Sequence, residues 1–237
     1  MGGVIVVSLC LCASAVGDAA GASAKTITLA SELATATADA THEGSVHVAV
    51  KFVSDGQAGD LVVDSAAASG QETLKYGKQV VGIVFVNGVV YITGNSQGLI
   101  SYFGLPASSG TALSGRWIAF DSGDNGYQTF LSDVALASVL KSVTPTGTLV
   151  KEKTTSLLGR KVIAVAGKGP AGEARGVLFL QSKANTLPVE AVISNGSGNK
   201  AAGEVVTFSR WGEKVNPAVP TGAIPVSTLR SDSTTAG

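Results

Sequence analysis

Two segments of this chain are apolar on both faces of any strand they form: Val80-Val81-Gly82-Ile83-Val84-Phe85-Val86 and Gly176-Val177-Leu178-Phe179-Leu180. A strand in a one-sided sheet alternates apolar with polar residues. Strands like these need cover on both faces, from helices, sheet curvature or a ligand. Elsewhere the alternation is clean. Over Ser45–Val53, Val46, Val48, Val50 and Phe52 share one face, and His47, Ala49 and Lys51 the other. That period of two marks a half-buried antiparallel strand. Asn87-Gly88, between Val80–Val86 and Val89–Thr93, is a strong hairpin signal because both turn residues tolerate positive φ.

Further strands are predicted over Gly59–Ala68 and Gln71–Tyr76, turned at Ser69-Gly70, and over Arg116–Phe120, Gly147–Lys153, Lys161–Gly167, Gly176–Gln181, Val189–Ser194 and Gly203–Arg210. Asn195-Gly196 reads as another hairpin turn. Thr26–Thr41 carries Leu29, Leu33, Ala36 and Ala40 at helical spacing, and Gly44 ends that helix. Asp124–Lys141 reads as one helix, with Phe130, Leu131, Val134, Leu136, Ala137 and Leu140 on its apolar face and Lys141 near the C-terminal end of the dipole. From Asn216 onward, Pro217, Pro220 and Pro225 predict an extended exit, and Ser231–Gly237 a disordered tail. The fold class is α+β, a large antiparallel sheet with a leading helix and helical insertions, in a single domain over 25–215 followed by the 216–237 exit.

Charge excludes several functions. The 237 residues hold 17 Lys+Arg and 17 Asp+Glu, and charged residues are 14% of the chain, against about 25% in an ordinary soluble domain. With no basic field there is nothing to attract phosphates, so nucleic acid is not an expected partner. A hydrophobic share of 45% at zero net charge rules out intrinsic disorder.

The first residues point to export. Val4 to Ala13 is an apolar run too short to span a bilayer but suited to a signal-peptide core, and Ala22-Ser23-Ala24 before Lys25 is an A-x-A cleavage pattern. Residues 1–24 are therefore expected to be a signal peptide, although Met1-Gly2-Gly3 lacks the usual positive charge. Cys10 and Cys12 are lipidation candidates. Leu9 and Leu11 stand where a lipobox wants a small residue, while the Ala/Gly/Ser stretch up to Lys25 has the composition of a flexible tether. A chain cut after Ala24 has no cysteine, which removes disulfides, thiol catalysis and Cys-ligated zinc together.

The catalytic inventory is thin. Gly94-Asn95-Ser96-Gln97-Gly98 matches G-x-S-x-G after a strand, ahead of a short helix over Leu99–Phe103. Hydrolases of that kind carry their histidine downstream of the serine, whereas His42 and His47 both lie upstream. Ser96 is read as a turn residue. The two histidines lack a nearby third ligand, so no metal is expected. Asp121-Ser122-Gly123-Asp124 is ordinary turn chemistry, and Asp133 and Glu173 fall in no motif. No enzyme activity and no cofactor are expected.

Thr207-Phe208-Ser209-Arg210-Trp211-Gly212-Glu213-Lys214-Val215 resembles the last strand and exit of the mycobacterial LppX/LprAFG-type lipoproteins, relatives in fold of the LolA lipid carriers. The similarity extends through the Asn195-Gly196 turn, the hairpin Phe85-Val86-Asn87-Gly88-Val89-Val90-Tyr91 and the leading helix running into the His47 strand and Gly59-Asp60-Leu61. It covers nearly the whole mature chain in order of elements; at residue level only Trp211-Gly212-Glu213-Lys214 is specific. The resemblance implies a curved antiparallel half-barrel sheet with helices packed in its concave face. It implies an exported envelope protein, a monomer, membrane-anchored if lipidated and otherwise secreted. Its apolar cavity would hold the acyl chains of a lipid or lipoglycan for transfer across the envelope. Peripheral membrane contact and a membrane transporter would be its further partners. The departure lies at the lipobox.

The expected cavity face is Val48, Val50, Phe52, Leu61, Val63, Ile83 and Phe85, with Phe130, Leu131, Val134 and Leu140 as a helical lid. Alternation groups these residues without saying which face is inside. The competing expectation is a secreted structural or partner-binding module with no ligand.

Overall fold

In the computed structural model, which describes residues 28–170, 175–182, 186–194 and 203–231, the alternating segments join into one continuous sheet. Its strands are β1 (Ser45–Ser54), β2 (Gln57–Ala66), β3 (Gly70–Tyr76), β4 (Gln79–Val86), β5 (Val89–Gly94), β6 (Ile118–Phe120), β7 (Thr146–Lys151), β8 (Thr155–Leu157), β9 (Arg160–Lys168), β10 (Arg175–Gln181), β11 (Pro188–Ser194), β12 (Gly203–Ser209) and β13 (Ile224–Pro225). The order across the sheet is β13-β6-β5-β4-β3-β2-β1-β12-β11-β10-β9-β7, with β8 also on β9. All the pairings are antiparallel except β13 with β6. The protein is thus an α+β fold built on an open, curved, mostly antiparallel half-barrel sheet. The signal-peptide segment, Cys10, Cys12, the Asn195-Gly196 turn and residues 232–237 lie outside the described residues.

The helices are α1 (Leu29–Glu43), α2 (Ser96–Ser101), α3 (Ala107–Ala112), α4 (Tyr127–Val134), α5 (Leu136–Val143) and α6 (Val226–Ser231). Thr28 caps α1 by accepting a hydrogen bond from Ser31 N, and Gly44 closes it in the left-handed conformation at φ 78°. Asn87 and Gly88, at φ 54° and 78°, make the tight turn between β4 and β5 that their identities favour.

Period two along each strand becomes apolar rows across the sheet. One row runs Val165–Leu178–Ala191–Val206–Val50–Leu61–Leu74–Val81. The next runs Phe208–Val48–Val63–Glu72–Ile83–Ile92–Ile118. Helices cover this face in two groups. Leu33, Ala36 and Ala40 of α1 and Leu136, Val139, Leu140 and Val143 of α5 join the β1 and β9–β12 side. Leu99 of α2, Leu113, and Tyr127 and Val134 of α4 join the β4–β6 side, with Val226 and Leu229 of α6 packed against them.

Three differences from the sequence-based expectation have physical causes. The single helix predicted over Asp124–Lys141 is two, because Ala135 is extended at ψ 128° and bridges Ala66 of β2. The exit after Asn216 is not simply extended: Ile224–Pro225 returns as β13, Ile224 N donates to Trp117 O at 2.9 Å, and α6 follows. Cover of both faces of β4 fails only at its start: Val81, Ile83 and Phe85 lie inside and Val84 and Val86 on the outer face are buried, whereas Val80 is 43% exposed. On β10, Val177 and Phe179 cover themselves on the outer face with Ala164 and Ala166 of β9.

Candidate functional site: a cleft between the sheet and a broken helix

A cleft of about 350 Å³ opens where the two helix groups part. Its floor is Val48, Val50 and Phe52 of β1, Leu61 and Val63 of β2, Leu74 of β3 and Val206 of β12. Cross-strand pairing sets these side by side: Val48 faces Val63, Val50 faces both Leu61 and Val206, and Leu61 faces Leu74. The opposite wall comes from the broken helix, through Ser132 and Asp133 of α4 and Ser138, Val139, Ser142 and Val143 of α5. Glu72 of β3, Tyr102, which closes α2, and Glu204 of β12 complete the lining.

Glu72 sits in an otherwise aliphatic row, between Val63 and Ile83, and is 4% exposed. Tyr102 Oη lies 3.4 Å from Glu72 Oε1 and 3.5 Å from Asp133 Oδ2, long contacts near the limit of hydrogen bonding. Burial first, then the neighbouring Asp133 carboxyl, pushes Glu72 up to about 8. Burial also pushes Asp133 up to about 6, against the opposing hydrogen bond from Tyr102, and Tyr102 itself is raised.

Of the residues expected to line a cavity, Val48, Val50, Phe52, Leu61 and Val63 do so here. Ile83 and Phe85 lie in the neighbouring closed core. The helical residues are displaced around their axis: Phe130, Leu131 and Val134 pack into that same core, and Leu140 into the other, so Ser132, Asp133, Val139 and Val143 face the cleft instead. Glu72 was open to detection in the sequence, since within Gln71–Tyr76 it shares a face with Leu74 while Gln71, Thr73 and Lys75 take the other. Tyr102 and Asp133 carry no such signal.

The remaining candidates have structural roles. Asn95 Oδ1 caps α2, accepting from Gly98 N at 2.8 Å, and Asn95 Nδ2 donates to Lys78 O at 2.6 Å. A Cβ on Gly94 or Gly98 would meet Val80 O at 2.8 or 2.5 Å, so both glycines of the G-x-S-x-G pentapeptide seat α2 against β4. Ser96 Oγ lies 3.2 Å from Thr111 Oγ1. Asp121 N donates to Asp124 Oδ2 at 2.8 Å within its turn. His47 Nδ1 lies 2.6 Å from Asp64 Oδ1, and Arg210 Nη2 contacts both residues. Trp211 stacks on Phe208 with centroids 5.9 Å apart, and its Nε1 donates to Pro188 O at 3.2 Å. Among the described residues no three His, Cys, Asp or Glu side chains gather as a metal site.

No protein-family model and no curated protein matches the chain, so the LppX/LprAFG resemblance rests on the residues quoted for it. Solved structures resemble the chain at low identity. An uncharacterised conserved protein of Thermus thermophilus is 12% identical, with 82% of this chain and 95% of that one covered and a TM-score of 0.44. MucB in complex with MucA(peri) is 15% identical, with 80% and 57% covered and a TM-score of 0.40. The Pseudomonas aeruginosa MucA/MucB complex matches at 16% identity, 75% and 54% coverage and a TM-score of 0.37. The chain thus spans little more than half of the MucB chains it matches. Among the described residues no helix is long and apolar enough to cross a membrane.

Proposed function

We propose that the cleft takes up an acyl chain of a lipid or lipoglycan, and that the protein is an exported carrier of that lipid through the cell envelope. The supporting observation is the cleft itself: a seven-residue aliphatic and aromatic floor from β1, β2, β3 and β12 opposite a helical wall, with Glu72 and Glu204 the polar side chains that the sheet contributes. Its volume of about 350 Å³ suits one chain rather than several; small-molecule sites run from roughly 300 to 1,000 Å³. Each buried methylene contributes about 0.8 kcal/mol. A micromolar complex, at roughly −8 kcal/mol, therefore needs at least about ten of them before association costs are met. Long-chain amphiphiles are the fitting ligands. The export signal and either cysteine as an anchor belong to this reading, which includes no catalytic step.

Native mass spectrometry of the protein recovered from its own envelope is expected to find a lipid adduct. Leu61→Trp and Val50→Trp, which fill the floor with an indole, are expected to lower lipid recovery while circular dichroism stays unchanged. No adduct, together with no uptake of an uncharged fluorescent long-chain alcohol, would overturn the carrier reading in favour of a ligand-free structural or partner-binding module.

A further inference from the structure

The charged side chains that line the cleft are of one sign. Among its lining residues are three carboxyl side chains, Glu72, Asp133 and Glu204, and no Lys, Arg or His. Glu72 is the buried member: it stands on β3 at the centre of an aliphatic row, is 4% exposed and lines the cavity. Tyr102 is its hydrogen-bond donor, through a long contact to Oε1 alone. One long bond from a neutral phenol does not offset the loss of solvent of a buried carboxylate. The groups facing it are Asp133 from α4 and Tyr102 from the end of α2, with Val63 and Ile83 beside it on β2 and β4.

We propose that the cleft selects amphiphiles with an ammonium head group, which lies between Glu72 and Asp133 with its hydrocarbon chain along the valine floor. This inference rests on the acyl-chain reading of the same cleft. A cation there supplies the opposite charge that no lining residue brings to these two carboxyls, and its N–H groups add donors to the single one of Tyr102. Tyr102 is 40% exposed at the mouth and turns its hydroxyl to the same place, where the oxygen can accept from the cation. An anionic head group meets the opposite situation. It would face the Asp133 carboxylate, joined by Glu72 as that group ionises, and two of the cleft's hydroxyls already donate to backbone carbonyls, Ser132 Oγ to Thr129 O at 2.6 Å and Ser142 Oγ to Val139 O at 2.9 Å. With no cation beside it Glu72 keeps its proton up to about 8, so seating an ammonium group there displaces that proton.

The test uses three probes with one chain and different heads: hexadecylammonium, 1-hexadecanol and hexadecyl phosphate, each below its micellar concentration, displacing one uncharged fluorescent long-chain alcohol from the full chain. Hexadecylammonium is expected to bind at least ten-fold more tightly than hexadecyl phosphate, with the alcohol between them. The isosteric double variant Glu72→Gln/Asp133→Asn is expected to collapse that ratio to within about two-fold, and each single variant to lower it part of the way. Equal affinity for all three heads, or preference for the phosphate, overturns the head-group inference and leaves the acyl-chain reading standing. If none of the three binds, both fall.

Discussion

Glu72 and Asp133 approach the cleft from opposite walls, one on the sheet and one on α4, and converge on a single hydroxyl, Tyr102 Oη, at 3.4 and 3.5 Å. A phenol has one proton to give. It cannot satisfy two carboxylates at once, so the arrangement is relieved by holding a proton on one of them or by bringing a cation between them. Burial raises the pKa of both carboxyls, and the Asp133 charge raises that of Glu72 further, while the long hydrogen bond from Tyr102 opposes the rise in each.

Stability should therefore fall as the solution becomes alkaline. Glu72 rises from 4.5 to about 8 on folding and Asp133 from 3.8 to about 6, so between about pH 4 and pH 8 the folded chain holds more protons than the unfolded one. Stability then declines with pH across that window and levels off above it. Asp64 acts elsewhere: burial would raise it, but hydrogen bonds from Gln71 and His47 and the charges of His47 and Arg210 outweigh that and lower it, so its contribution is lost only in acid. The melting temperature at pH 5 should exceed that at pH 8.5 by on the order of 5 °C, at about 2–4 °C per kcal/mol for a chain this long. Glu72→Gln should remove most of the difference. A flat profile in the unaltered protein would contradict the burial argument.

Ammonium binding should run the other way with pH. Ionising Asp133 near pH 6 and Glu72 near pH 8 adds the negative charge that the ligand needs, so hexadecylammonium affinity rises from pH 5 to pH 9. Binding at pH 7 should release a proton, visible as a buffer-dependent heat in titration calorimetry. Affinity that stays constant over this range would count against a head group seated at these carboxyls.

The junction of α4 and α5 has a built seat on the sheet. Ser65 is fully buried and its Oγ donates to Val134 O at 2.6 Å, while a Cβ on its cross-strand partner Gly70 would meet Val134 O at 2.7 Å and Val134 Cβ at 2.9 Å. Ser65→Ala should cost about 1–3 kcal/mol, the price of an unmet buried acceptor. Gly70→Ala should cost a similar about 1–3 kcal/mol through overpacking. Urea midpoints unchanged in both variants would show that the junction is held by other contacts.

One edge of the cleft depends on a missing side chain. Phe52 pairs with Gly59 across β1 and β2, and a Cβ on Gly59 would fall 2.1 Å from Phe52 Cζ. The ring lies over the glycine and tilts against Tyr76, centroids 5.6 Å apart. Gly59→Ala should push Phe52 off this perch, lower uptake of the uncharged fluorescent alcohol several-fold and cost about 1–3 kcal/mol. Retained uptake would mean that Phe52 is dispensable to the cleft wall.

Much of this architecture is written locally in the chain. Strand periodicity grouped Val48, Val50, Phe52, Leu61 and Val63 on common faces, Asn87-Gly88 fixed a hairpin and Gly44 ended α1, because each depends on the backbone preferences of neighbouring residues. What the sequence by itself could not determine is which face the sheet curls around, because period two is the same from either side. Nor could it show that positions 72, 102 and 133 meet at one hydroxyl, since those contacts join separate elements. The helix over Asp124–Lys141 makes the same point. Its spacing is continuous, yet Ala135 is extended, because the bridge to Ala66 and the hydrogen bond from Ser65 to Val134 exist only once β2 lies beneath it. Local preference set the elements, and long-range packing on the sheet decided where the helix broke and which of its residues faced the cleft.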